Sequence, residues 1–429
     1  MQIEGLHSVD RWYQNCRNWH GRPIMADHLA VATIVSIPWS TSLTSILIVV
    51  WLITILPGTS LANIHRALTS PPSALPILLV LLAVGGLIWT DANPYERFAG
   101  LRQFLKLLII PILLTEFRES ENGKRAIVGF LISCVALLVL SIASAIWPVI
   151  TWWRPGNPGV PFKDQTAQSA EFTICAFCLI PLAVNACREQ CYARGAALFI
   201  LPVAFLGDVF YIATARAQLV VISVLTLLIC VRMFKWKSAA IALAVMCAFA
   251  AAVWYSSPYL QKRIYHGEWE YKQYAGEHRP TSIGDRLDWW RQSFHYWKAA
   301  PIIGYGTGSI EETFRRGAET PGIADQNFPT SDIHNQVLDV AVQFGLIGVA
   351  TLLAMWIAHF VMFRDSGHTA WFGSVIVVQN IVACMFHSHI KDFTEGWIYV
   401  FGVGVLGGMV QRSLSSTSSE VASRNFADL

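Results

Sequence analysis

The stretch Ala126-Ile-Val-Gly-Phe-Leu-Ile-Ser-Cys-Val-Ala-Leu-Leu-Val-Leu-Ser-Ile-Ala-Ser-Ala-Ile-Trp147 carries no charged side chain and follows directly on Lys124-Arg125. A run this apolar has no polar face to offer water. It is also longer than the roughly 20 residues a helix needs to cross the hydrocarbon of a bilayer. It reads as a membrane span with its basic flank held at one surface. The rest of the chain repeats the pattern: 54% of its 429 residues are hydrophobic, 14% are charged, and the mean hydropathy is +0.46. Apolar windows fall near 28–38, 40–56, 74–90, 101–116, 126–147, 169–186, 196–212, 218–234, 238–254, 335–362, 369–387 and 395–411. The expected fold is therefore an all-α polytopic membrane protein with about twelve spans. The first two windows are short and are broken at Pro38.

The net charge of +3 says little by itself, because orientation follows Lys and Arg in short loops. With both termini inside, Arg66, Arg118, Lys124, Arg125, Arg188, Arg194, Arg232, Lys235, Lys237 and Arg364 fall on inner loops. The short outer connections then hold few basic residues, among them Arg154, Lys163, Arg216 and Lys391. Residues 1–27 are polar and aromatic, without the pattern of a cleavable signal peptide. Nine cysteines lie outside the long outer loop, so no disulfide framework is expected, and Cys175-Ala-Phe-Cys178 reads as small packing residues inside a span.

That long loop, 255–333, is the one large departure from the apolar pattern. It mixes charges with aromatics such as Trp269, Tyr271, Trp289, Trp290 and Trp297, the composition of a cap lying in the headgroup layer. Leu287, Trp290, Phe294 and Trp297 recur at helical spacing and predict an amphipathic helix over 285–300, ended by Pro301 and the glycines after it.

Candidate chemistry gathers at the outer face. Arg216 lies in the short connection Tyr211-Ile-Ala-Thr-Ala-Arg216. Read alone it is an interfacial arginine, but in company with other cations it can bind a phosphate bidentately. Arg286, in Gly284-Asp-Arg-Leu-Asp288, either pairs with a neighbouring aspartate or joins Arg216 on a pyrophosphate, and Lys163 offers a third positive charge. Gly304-Tyr-Gly-Thr-Gly308 lacks the surroundings of a nucleotide fold and reads as a flexible turn; a weaker reading aims the amides around Gly304 and Gly306 at an anion. His334, in Asp332-Ile-His-Asn335, sits before an apolar helix where it would stay neutral and act as a base, with Asp332 or Asn335 orienting its ring. His387 and His389, with Asp392 and Glu395, form a second polar cluster that lacks a defined third metal ligand. A transporter would instead place its charges near the bilayer midplane, and a scaffold would leave this outer cluster unmotivated.

The Thr-Ala-Arg216 element, Asp285-Arg286 with Trp289-Trp290, Pro301 leading into Gly304-Tyr-Gly-Thr-Gly308, and His334-Asn335 with Gly345 and Gly348 resemble the O-antigen ligase and polymerase superfamily over about residues 200–365. The resemblance implies a GT-C-type, metal-independent glycosyltransferase that needs no cofactor. Its active site would face the periplasm at the Gram-negative inner membrane. It also implies a division into a cytoplasmic N-terminus (1–27), nine spans (28–254), a large periplasmic loop (255–334), three spans (335–411) and a cytoplasmic tail (412–429). The donor would be a glycan on undecaprenyl pyrophosphate. The acceptor would be lipid A-core in the ligase branch, another lipid-linked repeat unit in the polymerase branch, or a protein in a third branch. Membrane lipid is the other expected partner, and nucleic acid is not one. A single large aromatic loop, suited to docking a second lipid-anchored substrate, favours the ligase branch.

Overall fold

The computed structural model describes residues 22–58, 61–151, 157–277, 279–318, 330–365 and 367–427. These are helical throughout, with no strand among them. The chain runs up and down through α1 (Arg22–Ser36), α2 (Thr41–Ile55), a short α3 (Leu61–Thr69), α4 (Pro71–Gly85), α5 (Pro94–Leu105), α6 (Ile109–Glu119), α7 (Gly123–Ile146), α8 (Gln165–Arg188), α9 (Tyr192–Tyr211), α10 (Arg216–Met233) and α11 (Trp236–Ser256). Next come α12 (Pro258–Glu277), α13 (Ser282–Ala299) and α14 (Ile310–Ala318), followed by α15 (Gln336–Met362), α16 (His368–Ala383) and α17 (Phe393–Ala427).

Among the described residues nine helices are long and apolar enough to cross a membrane, and three shorter apolar ones, over Ile24–Ser36, Pro71–Gly85 and His368–Ala383, stand beside them. Large apolar side chains such as Ile132 and Val139 of α7 point outward, and α11 buries only Val253. Water would penalise such a surface, whereas lipid solvates it.

The structure amends the sequence reading in three places. The window expected at 101–116 is built from α5 and α6 joined by a tight turn at Lys106–Leu108, because Asn93 and Glu96 form a capping box that starts the chain's helix well before the apolar run. The expected cap is three helices rather than one: α12 and α13 lie against each other, and α14 follows the glycine turn. The last span continues as a single helix through most of the expected tail.

Helices that begin at the site end carry side-chain caps. Ser40, Asp164, Thr281 and Asn335 accept the orphan amides of α2, α8, α13 and α15. The helix α15 is broken at Gly345, which has φ 60° and ψ −153°. The carbonyls of Pro301 and Ile302 enter the break and accept from the amides of Leu346 (2.8 Å) and Ile347 (3.3 Å). A Cβ on Gly345 would stand 2.3 Å from the carbonyl carbon of Ile302, so only glycine fits. Irregular backbone inside an apolar bundle survives where protein satisfies its polar groups, and here the glycine turn does so.

Candidate active site

The glycine turn is a clamp, not an anion nest. The amides of Gly304, Tyr305 and Gly306 donate to the carbonyls of Ala300, Val342 and Gln343, and that of Thr307 donates to the carbonyl of Gly86. The Gly308 amide donates to the Gln343 side chain at 2.8 Å. The run 304–308 therefore has no amide left for a phosphate, which removes the anion reading of Gly304 and Gly306. Its role is to hold the broken helix, and with it the segment that carries His334. From Gln343 a polar line runs to Asp339 (2.7 Å) and on to the buried ion pair of Asp339 with Lys391, which ties the α16–α17 loop to α15.

His334 sits immediately before the cap residue Asn335, with φ 54°, a left-handed backbone uncommon for a side chain larger than glycine. Several contacts hold it there. The Asp332 carboxylate accepts the His334 amide (3.0 Å) and the Ser388 hydroxyl (2.7 Å). Asn335 Nδ2 donates to the Met385 carbonyl (3.0 Å), and the indole of Trp290 in α13 donates to the Ile333 carbonyl (3.0 Å). The imidazole lies between Trp289, 5.7 Å away, and the edge of His387, 5.8 Å away. Asp332 Oδ2 is 3.5 Å from His334 Nδ1, which favours the proton on that nitrogen and leaves Nε2 free to accept one.

The electrostatics agree. Burial lowers the pKa of His334; Asp332 pulls it back up, and Arg286 and Lys391 lower it further. Burial pushes the Asp332 carboxyl up, but Lys391, His334 and the two hydrogen bonds outweigh it and hold the group below its usual range. The partner His387 is lowered to about 4, by burial first and then by Arg286 and His334. At neutral pH the site therefore presents neutral imidazoles beside an ionised Asp332.

Arg216, at the start of α10, reaches across the cap and pairs with Glu270 of α12 at 2.6 Å. A Cβ on Gly267, one turn before Glu270, would meet Arg216 Nη1 at 2.7 Å, so the bare backbone there makes room for the guanidinium. Arg286 of α13 is half-buried and makes no hydrogen bond or ion pair with any described residue. Asp288, its candidate neighbour, instead accepts the Tyr274 hydroxyl at 2.5 Å. Burial and then Arg216 lower the pKa of Arg286, so the two guanidiniums lie close enough to repel. Asp332 and Glu270 raise that pKa in turn, so carboxylates offset part of the repulsion while the donors of Arg286 stay uncommitted among the described residues.

Lys163 does not join them. Its ammonium donates to the Ile37 carbonyl and to Thr394 Oγ1 (2.8 Å), and it rests 5.8 Å from the centre of the Phe393 ring. Of the residues expected from the sequence, the fold brings Arg216, Arg286, His334, Asp332 and Asn335 near one another and places Lys163 apart from the two arginines, on Ile37 and Thr394. Sequence reasoning missed Glu270, Ser388 and Lys391. His387 was singled out only as a metal candidate. Its ring lies between those of His334 and His389, and among the described residues no three His, Cys, Asp or Glu side chains group to hold a metal. Cys175 and Cys178 are buried, free thiols in α8; Cys16 lies outside the described residues.

A bundle of apolar helices with a polar cluster at one end, beside three loop helices, defines a polytopic membrane protein. Residues 201–353, which carry Arg216, Arg286, His334 and the glycine clamp, match the family model described as O-antigen ligase, and this match supports membership of the O-antigen ligase superfamily. An uncharacterized protein of Haemophilus influenzae is 32% identical over 75 residues, covering 18% of this chain and 19% of that protein.

Proposed function

We propose that the protein is an O-antigen ligase at the Gram-negative inner membrane, with its site on the periplasmic face. It would transfer a glycan from undecaprenyl pyrophosphate to a sugar hydroxyl of lipid A-core. The observation that carries this reading is Arg286, a half-buried cation that makes no hydrogen bond or ion pair with a described residue, close to Arg216 and to a neutral His334. In the reaction the acceptor oxygen bonds to the anomeric carbon while the bond from that carbon to the pyrophosphate oxygen breaks. The acceptor proton passes to His334 Nε2, and the electron pair leaves with the pyrophosphate. Attack opposite the leaving group inverts the anomeric centre. The guanidiniums stabilise the charge that develops on the leaving oxygen, the part a divalent ion plays in other transferases. Asp332 orients the imidazole and stabilises the imidazolium as it forms.

The test is transfer by the purified full-length protein from undecaprenyl-pyrophosphate-linked glycan to lipid A-core in the presence of EDTA. Product from the wild type, and none from His334→Asn or Arg286→Gln, is the expected result. Lengthening of the lipid-linked glycan without glycosylated lipid A-core would mean the polymerase reaction instead.

A further inference from the structure

Beside His387, and lined by neither arginine, the loops between α1 and α2, α7 and α8, and α16 and α17 enclose an open polar cavity of about 590 Å³. That size lies within the roughly 300–1,000 Å³ of ligand clefts. We propose that this cavity binds the sugar of the acceptor, presenting its hydroxyl toward His334; the assignment rests on the glycosyl-transfer reading above.

The lining suits a neutral polyhydroxyl ring. Trp39, Phe162 and Phe393 supply apolar faces to the cavity, onto which the C–H face of a sugar packs. Trp39 is fixed in advance: its indole donates to Ser133 Oγ at 2.7 Å, and its ring meets Phe162 edge-on at 5.1 Å. A plate held this way loses little freedom when a ligand arrives. Glu395 also lines the cavity. It is only 8% exposed, and its carboxyl accepts its own backbone amide but hydrogen-bonds to no other described side chain. A buried carboxyl group with one donor keeps further hydrogen-bonding capacity, which a sugar hydroxyl can fill.

Charge decides against the other substrate group. Asp164, Asp392 and Glu395 face the cavity against the single cation Lys163, which is already engaged by Ile37 and Thr394. The charges of Asp164 and Asp392 disfavour a pyrophosphate there and admit an uncharged ring. The location fits as well, because His387 lines the cavity while its ring touches that of His334. The two flanks of His334 would thus hold the two halves of the reaction: phosphate on the arginine side and acceptor sugar on the carboxylate side.

The experiment uses full-length protein in detergent micelles and, as probe, dephosphorylated core oligosaccharide released from lipopolysaccharide, which has sugar rings but neither acyl chains nor pyrophosphate. Binding is read by saturation-transfer NMR and equilibrium dialysis. Wild type and Arg286→Gln should bind alike, and Trp39→Ala and Glu395→Leu should each bind about tenfold more weakly or worse. If a variant's melting curve shows it unfolded, Thr41→Tyr takes its place: residue 41 is exposed at the cavity mouth, and the added ring should block entry. No binding to the wild type, wild-type affinity in the folded variants, or an equal loss in Arg286→Gln would each overturn the assignment. Oligosaccharide binding without transfer to lipid A-core would sink the ligase reading and leave the pocket. Transfer that is indifferent to Trp39 and Glu395 would do the reverse.

Discussion

Arg286 and Lys163 are both loop cations close to His387, and in the sequence they look alike. In the fold they differ: Lys163 spends its donors on Ile37 and Thr394, whereas Arg286, half-buried on α13, makes no hydrogen bond or ion pair with a described residue. Arg286 lies near a second guanidinium, with Asp332 and Glu270 close by but not bonded to it, and Lys163 lies among carboxylates. The contrast teaches that a binding charge is recognised by what it lacks. A cation already saturated by backbone and hydroxyl oxygens holds the fold, and a desolvated, unpaired one waits for an anion.

This division can be tested from both sides. His334→Asn keeps a residue that tolerates the left-handed backbone, so it should leave the fold intact while removing the base, with a fall in kcat of about 10²–10⁴-fold. Arg286→Gln should lower kcat by about 10²–10³-fold with little change in melting temperature, since no hydrogen bond or ion pair to a described residue is lost. Gly267→Ala pushes Arg216 away from Glu270 without altering any charge. About a tenfold loss in kcat/KM is expected. Lys163→Met should do the opposite of Arg286→Gln: transfer stays within a few-fold of wild type while the melting temperature falls, because the Ile37 carbonyl and Thr394 hydroxyl lose their donor.

The smallest effect is in the pH profile. Burial, Arg286 and Lys391 depress His334, so the acid limb of kcat/KM should have its midpoint below the roughly 6.5 of a free histidine. Asp332 stabilises the imidazolium and opposes that depression. Asp332→Asn should therefore move the midpoint lower still, and a move upward would contradict the assigned environment.

Much of the bundle was legible because spans are written locally: an uncharged run such as 126–147 can satisfy its backbone in lipid only as a helix. Arg216, Arg286 and His334 were legible as residue types that suit the chemistry at a membrane surface. Their partners were not. Glu270 meets Arg216 across 54 residues, and Ser388 meets Asp332 across 56, so nothing local marks either acid or hydroxyl as part of the site. The same holds for Gly306, whose amide looked free in the sequence but donates to Gln343 beside the break at Gly345, a distortion that exists only once Pro301 and Ile302 are inserted into it; the Gly304 amide turns back to Ala300. Lys163 looked available for the same reason, since charge is a property of the residue and availability a property of the fold.

The most direct test of the central claim is the binding of undecaprenyl pyrophosphate to wild type, Arg286→Gln and Lys163→Met, measured on the purified full-length protein at one salt concentration. The account predicts that affinity falls at least about tenfold in Arg286→Gln and stays near wild type in Lys163→Met. Equal affinity in wild type and Arg286→Gln, or a loss confined to Lys163→Met, would contradict it.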